Sequence, residues 1–133
     1  MERYLGRYSD VIYAALRIVS GFLFACHGAR HIFWGEGNGD FRGLEGPLAG
    51  IIELVGGSMI ALGLKASIAA FISSGEMAVA YFQDHAPLGF WPILNFGELA
   101  VLFCFLFLYI ASRGSGRFSI DAALARRGSR SQH

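Results

Sequence analysis

The chain has 133 residues, of which 54% are apolar and 16% charged, and its formal net charge is +1. This is the length of a single domain, with charge content well below the roughly one quarter usual in soluble domains. Near-neutral charge leaves no basic footprint for nucleic acid. The two cysteines, Cys26 and Cys104, lie inside apolar runs with no CxxC or zinc-knuckle spacing, which speaks against a dithiol redox centre or a zinc site.

Four apolar stretches are each long enough to cross about 30 Å of hydrocarbon at roughly 1.5 Å per residue. They fall at residues 11–34, 46–64, 66–83 and 92–112. The third and fourth have no polar face of the kind a soluble helix needs. The expected fold is therefore all-α, an integral membrane four-helix bundle forming one domain over 1–133. The first loop, GEGNGDFRGLEG, is glycine-rich and acidic, and Gly46–Pro47 suits the opening of the second helix. Only the surroundings of Lys65, the one lysine, separate the second and third spans, so these two form an antiparallel hairpin. The third loop carries Phe90 and Trp91, amphipathic aromatics suited to a membrane interface.

Arg3, Arg7, Lys65, Arg113, Arg117, Arg126, Arg127 and Arg130 all fall on the side of the termini, against Arg42 and Arg30 opposite. The positive-inside rule then puts both termini in the cytoplasm. The first span carries Arg17 and His27 and lacks a small-x-small cleavage pattern, so it is expected to stay as a span and not to be cleaved as a signal. Arg17 is expected to snorkel to the cytoplasmic surface. In the polar tail, 113–133, Ser119 is expected to cap a short amphipathic turn over residues 120–125.

Each of the last three spans carries one glutamate: Glu53, Glu76 and Glu98. A carboxylate inside hydrocarbon is costly unless paired or protonated, and it marks a functional position by default. Counting from the outer span ends puts all three, and His27 of the first span, about 10 Å below the outer boundary. Gly46, Gly50 and Gly57 share the face of Glu53, a smooth stripe that permits close helix approach. Asn95, one turn from Glu98, is placed to donate a hydrogen bond to it. His27, Arg30 and His31 share one face at i, i+3 and i+4, with Arg30 and His31 nearer the rim. Three carboxylates against Arg30 and two histidines need protons for neutrality, so the group is expected to titrate as a coupled set.

Proton-coupled redox with a quinone is the first chemistry this layer suggests. A quinone takes up two electrons and two protons, so histidine and carboxylates suit its pocket, with Phe33, Phe96 or Trp91 to stack on the ring. On this reading Glu53, Glu76, Glu98 and His27 exchange protons, while Arg30, His31, Asn95 and Trp91 bind the ligand. The sequence holds no haem-ligand pair or flavin motif, so electrons would come from a substrate or from a partner protein. A metal held by His27 and His31 is an alternative, although the Glu-x-x-His repeats of di-metal bundles are missing. Transport of protons or a small solute is another, most natural for a homo-oligomer. A non-catalytic ion-pair network that specifies helix packing is the bland alternative.

The chain resembles the DoxX family of small four-span bacterial membrane proteins. The resemblance runs from Leu16 to about Leu124 and rests on LRIVSGFLFACHGARHIF, IELVGG, GEMAVAYF, HAPLGFWPILNFGELA and GRFSID. It implies a multi-pass protein of the bacterial inner membrane. The family takes its name from a quinone-linked thiosulfate oxidation system, and other members look like membrane anchors in redox-stress assemblies. It implies polar intramembrane roles for His27, Glu53, Glu76 and Glu98. Many members resemble HGxQK after the first span, whereas this chain reads His27-Gly28-Ala29-Arg30-His31.

Overall fold

The computed structural model describes residues 1–34 and 45–130, so most of the acidic first loop, with Arg42, lies outside the described residues. Every regular element among the described residues is helical. Helix α1 (Glu2–Leu5) leads through a 3-10 turn into α2 (Ser9–Phe33). Helix α3 (Glu45–Ile51) runs through a π turn at Ile52–Gly56 into α4 (Gly57–Leu62). Helix α5 (Ala66–Ala80) ends in a second π turn, Tyr81–His85, followed by α6 (Glu98–Arg113) and α7 (Ile120–Arg130). Among the described residues one helical segment, Glu2–Phe33, is long and apolar enough to cross a membrane by length and composition, and Gly46–Leu62 is a shorter apolar helix.

The hairpin expected around Lys65 is present. Gly63 takes φ +68° after α4, where a side chain would be strained, and its N–H and that of Leu64 return to Ile60 and Met59. Such a left-handed glycine closes the orphan carbonyls of a helix end. Lys65 follows at φ +47°, and α5 begins at once.

The fourth helix differs from expectation. It starts at Glu98, not near Pro92, and has 16 residues, about 24 Å of rise. Residues 92–96 fold instead into turns, because Asn95 accepts the Gly97 N–H on its side-chain oxygen at 2.9 Å and Phe96 adopts φ +60°. Asn95 is buried, and its amide nitrogen donates to the Gly89 carbonyl at 2.6 Å and faces the Tyr81 hydroxyl at 3.3 Å. The Tyr81 hydroxyl in turn donates to the Phe90 carbonyl.

Helix α2 lies along α3, the first π turn and α4, while α5 packs most extensively on α6. The α2 contact is built on small residues. A Cβ at Gly21 would sit 2.5 Å from the Ala61 nitrogen, and one at Gly28 would sit 2.3 Å from the Leu54 nitrogen. Gly57 and Gly50 face them from the other helix, so these two glycines of the expected stripe form the seam. Between α2 and α6 the rings of Phe24, Phe103 and Phe107 interlock, with Phe24 and Phe107 centroids 4.7 Å apart. Ile60, Ala70 and Ile110 complete a core that reaches full burial.

Arg17 does not snorkel. It is 1% exposed, and its guanidinium donates to the carbonyls of Ile60 at 2.5 Å, Ala61 at 2.8 Å and Phe118 at 2.7 Å. The glycine bend after α4 leaves the last carbonyls of that helix within reach, so the charge caps a helix end and not the surface. The tail joins the same cluster. Asp121 accepts the Lys65 N–H at 2.8 Å and the Ser115 hydroxyl at 2.5 Å, while Ser119 caps α7 by accepting the Ala122 N–H. Beyond the core, α2, α5 and α6 present large apolar side chains outward, among them Phe22, Phe71, Leu102 and Phe105, each more than 60% exposed. Water-soluble monomers rarely expose apolar surface so extensively.

Candidate functional site

Two helical irregularities build the site. The π turn at Ile52–Gly56 carries Glu53, and the π turn at Tyr81–His85 carries Asp84 and His85. Such turns shift the register of a helix and concentrate at functional positions. Glu53 is buried at 5% exposure and meets the imidazole of His31 across the α2 seam, with Nδ1 to Oε2 at 2.9 Å. Gly28 lets the two backbones close enough for this, since even a Cβ there would lie 2.8 Å from that of Glu53.

His27, His31, Glu53, Asp84 and His85 line one cavity of about 290 Å³. Its apolar walls include Phe24, Phe96 and Phe103, and the His27 ring meets Phe103 edge-on at 6.4 Å. His85 is held from behind by a contact of 3.0 Å between Nδ1 and the Asn95 carbonyl. It also lies nearly parallel to the Tyr81 ring, at 6.3 Å between centroids.

The expected layer is therefore only partly assembled. His27, His31 and Glu53 come together. Glu76 lines a separate groove of about 280 Å³ with Leu48, Ile52, Ile72, Gln83 and Asp84, where its Oε2 is buried without a hydrogen-bond partner. The two spaces adjoin, for Ala80 and Asp84 line both. Glu98 is exposed in the first turn of α6 and lines neither. Counting depth from Pro92 fails for it because the helix begins at Glu98 itself. Asn95 does not bond to Glu98 either, since its polar atoms are spent on Gly89, Tyr81 and Gly97. Trp91 is 65% exposed, set edge-on to Phe90 and away from the cavity. Arg30 is exposed on α2, and Phe33 packs against Trp34; the aromatics that line the cavity are Phe24, Phe96 and Phe103. Among the described residues no three His, Cys, Asp or Glu side chains are arranged to hold a metal ion.

Asp84 and His85 are the site residues that span counting does not reveal, because it places them beyond the end of the third helix. A signal for Asp84 exists at helical spacing: Gln83 and Asp84 follow Glu76 at i+7 and i+8, on the face of α5 that carries the glutamate.

The DoxX family model matches residues 12–86, from α2 through the second π turn. The chain belongs to the DoxX family. The matched stretch includes every ionisable residue of the cavity, and α6 and the tail lie beyond it. A Haemophilus influenzae protein, itself uncharacterized, is 42% identical over 125 residues, covering 88% of this chain and 93% of its own length. No solved structure matches the chain. With its family and its apolar helix, this DoxX chain is a helical membrane protein.

Proposed function

We propose that this DoxX protein is a single multi-pass domain of the bacterial inner membrane and that its histidine-lined cavity binds a quinone-type ring as part of a membrane redox system. Four helical rods, built from α2, α3–α4, α5 and α6, would span the bilayer with both termini in the cytoplasm. The charge distribution supports this orientation. Asp10, Lys65, Arg113, Arg117 and Asp121 are gathered at one end through the Asp10–Arg113 and Lys65–Asp121 contacts, and positive charge favours the cytoplasmic side. The outer end would then hold the cavity.

The observation that carries the ligand reading is the composition of that cavity: three aromatic walls around three histidines and two carboxylates, in a space of about 290 Å³. A benzoquinone head group needs flat apolar walls, polar contacts at its two oxygens and nearby proton carriers. His27, the His31–Glu53 pair and Asp84 provide the last. Electrons would be delivered by a substrate or a soluble redox partner, and the chain's part is to hold the ring and carry protons.

The test is quinone binding by the full chain in lipid vesicles, using duroquinone. Saturable binding that weakens about tenfold in His27→Ala and Glu53→Gln, at unchanged unfolding temperature, is the expected result. The buried His31–Glu53 contact also suits a packing network in a membrane anchor. Variants that bind normally but unfold earlier would establish that role in place of ligand binding. Proton flux in sealed vesicles without an electron donor would mark a transporter.

A further inference from the structure

One hydrogen-bond acceptor of the cavity has its identity fixed by the backbone. The Asn95 carbonyl, 3.0 Å from His85 Nδ1, can only accept. The proton of a neutral His85 therefore sits on Nδ1, and Nε2 carries the lone pair. The donor-acceptor pair is well anchored, because Asn95 is buried and its side chain is tied to Gly89, Tyr81 and Gly97.

The rest of the lining agrees. Among the described residues around the cavity there is no serine, asparagine, glutamine, tyrosine, lysine or arginine, so the imidazoles of His27 and His31 are its remaining N–H donors. Glu53 and Asp84 are acceptors when ionised. A quinone carbonyl, itself an acceptor, would meet the lone pair of His85 Nε2 on this wall. A hydroxyl would be matched.

Resting on the quinone-type reading above, we propose that the cavity selects the reduced, hydroxyl-bearing form of the ring, a hydroquinone or similar phenol, with His85 Nε2 accepting its O–H. The ring would lie among Phe24, Phe96 and Phe103, and one hydroxyl would face His85 from the α5 side. His85 is then a ligand-binding residue, and Asn95 is a positioning residue that acts through the imidazole tautomer.

The experiment compares durohydroquinone with duroquinone, whose ring carbons are fully substituted and so resist addition by the exposed Cys26 thiol. Binding is measured anaerobically, in mildly alkaline buffer, to the full chain in lipid vesicles. The reduced form should bind about tenfold more tightly, as expected when one partner pairs an acceptor that the other leaves buried. His85→Ala should bring the two affinities within about twofold, and His85→Gln, whose amide oxygen can accept, should keep part of the preference. Selective ¹⁵N-histidine NMR of the wild type gives a readout that needs no variant: His85 should show a protonated Nδ1 and an unprotonated Nε2 that shifts on adding durohydroquinone. Equal binding of both forms, a preference that survives His85→Ala in folded protein, or the opposite tautomer overturns the proposal and leaves the quinone-type reading standing. Binding of neither form overturns both.

Discussion

Replacing Gly28 by alanine tests the seam between α2 and the glutamate-bearing π turn. The added Cβ would lie 2.3 Å from the Leu54 nitrogen, 2.6 Å from the Gly50 carbonyl oxygen and 2.8 Å from the Glu53 Cβ, where ordinary contact is 3.4–4 Å. Two of these three atoms are backbone, so no side chain can swing aside, and the helices must part locally by about 1 Å. Overpacking of this kind costs roughly 1–3 kcal/mol, offset by up to about 1 kcal/mol from the better helix propensity of alanine. A net loss of about 1–2 kcal/mol is expected, read as a lower midpoint in detergent-mixture unfolding. Gly75→Ala supplies the control within the same protein. Gly75 lies mid-helix in α5, and a Cβ added there would meet nothing within 4 Å, so the substitution should stabilise by about 0.5–1 kcal/mol. Equal stability of the two variants would refute the close-packed seam. Because Glu53 is one of the residues displaced, Gly28→Ala should also weaken ligand binding, and Gly75→Ala should not.

Arg17→Met should lower stability by at least about 2 kcal/mol, because it strands the carbonyls of Ile60, Ala61 and Phe118 at roughly 1–3 kcal/mol per buried unsatisfied group. Protease cleavage within residues 115–127 should rise in parallel, since the same guanidinium holds the start of the tail. Asn95→Ala should cost about 2–3 kcal/mol through its lost contacts to Gly89, Tyr81 and Gly97. Glu98→Gln, at an exposed helix start, should change unfolding by less than about 1 kcal/mol and leave durohydroquinone affinity unaltered. A large loss of binding in Glu98→Gln would restore it to the site.

Much of the helical frame is legible in the sequence because its signals are local. The hairpin needs only a glycine and a lysine between two apolar runs, and Ser119 stands one residue before α7. The glycines at 50 and 57 lie on the face of Glu53 by simple helical spacing, and they do form the α2 contact. Three features are not legible. Counting depth from span ends assumes unbroken helices, and Pro92 looks like a helix start. The break at Phe96 arises from the Asn95 side chain capturing the Gly97 N–H, an event with no periodicity. The two π turns have no residue signature either, yet they decide which side chains share a cavity. The turn at Tyr81–His85 brings Asp84 and His85 to the wall, while the glutamate of the same helix faces the neighbouring groove. Arg17 is legible as structural but not in its destination, because one of its acceptors stands 101 residues further along the chain.

That separation has a consequence for how the protein is made. Synthesis runs from the N-terminus, so α2, which carries Arg17, is made before the carbonyl of Phe118 exists. Until then the guanidinium of Arg17 lacks one of its three acceptors and the tail cannot dock. A helix and a segment 101 residues further along are thereby joined at a single cation, and this part of the fold closes only once Phe118 has been added.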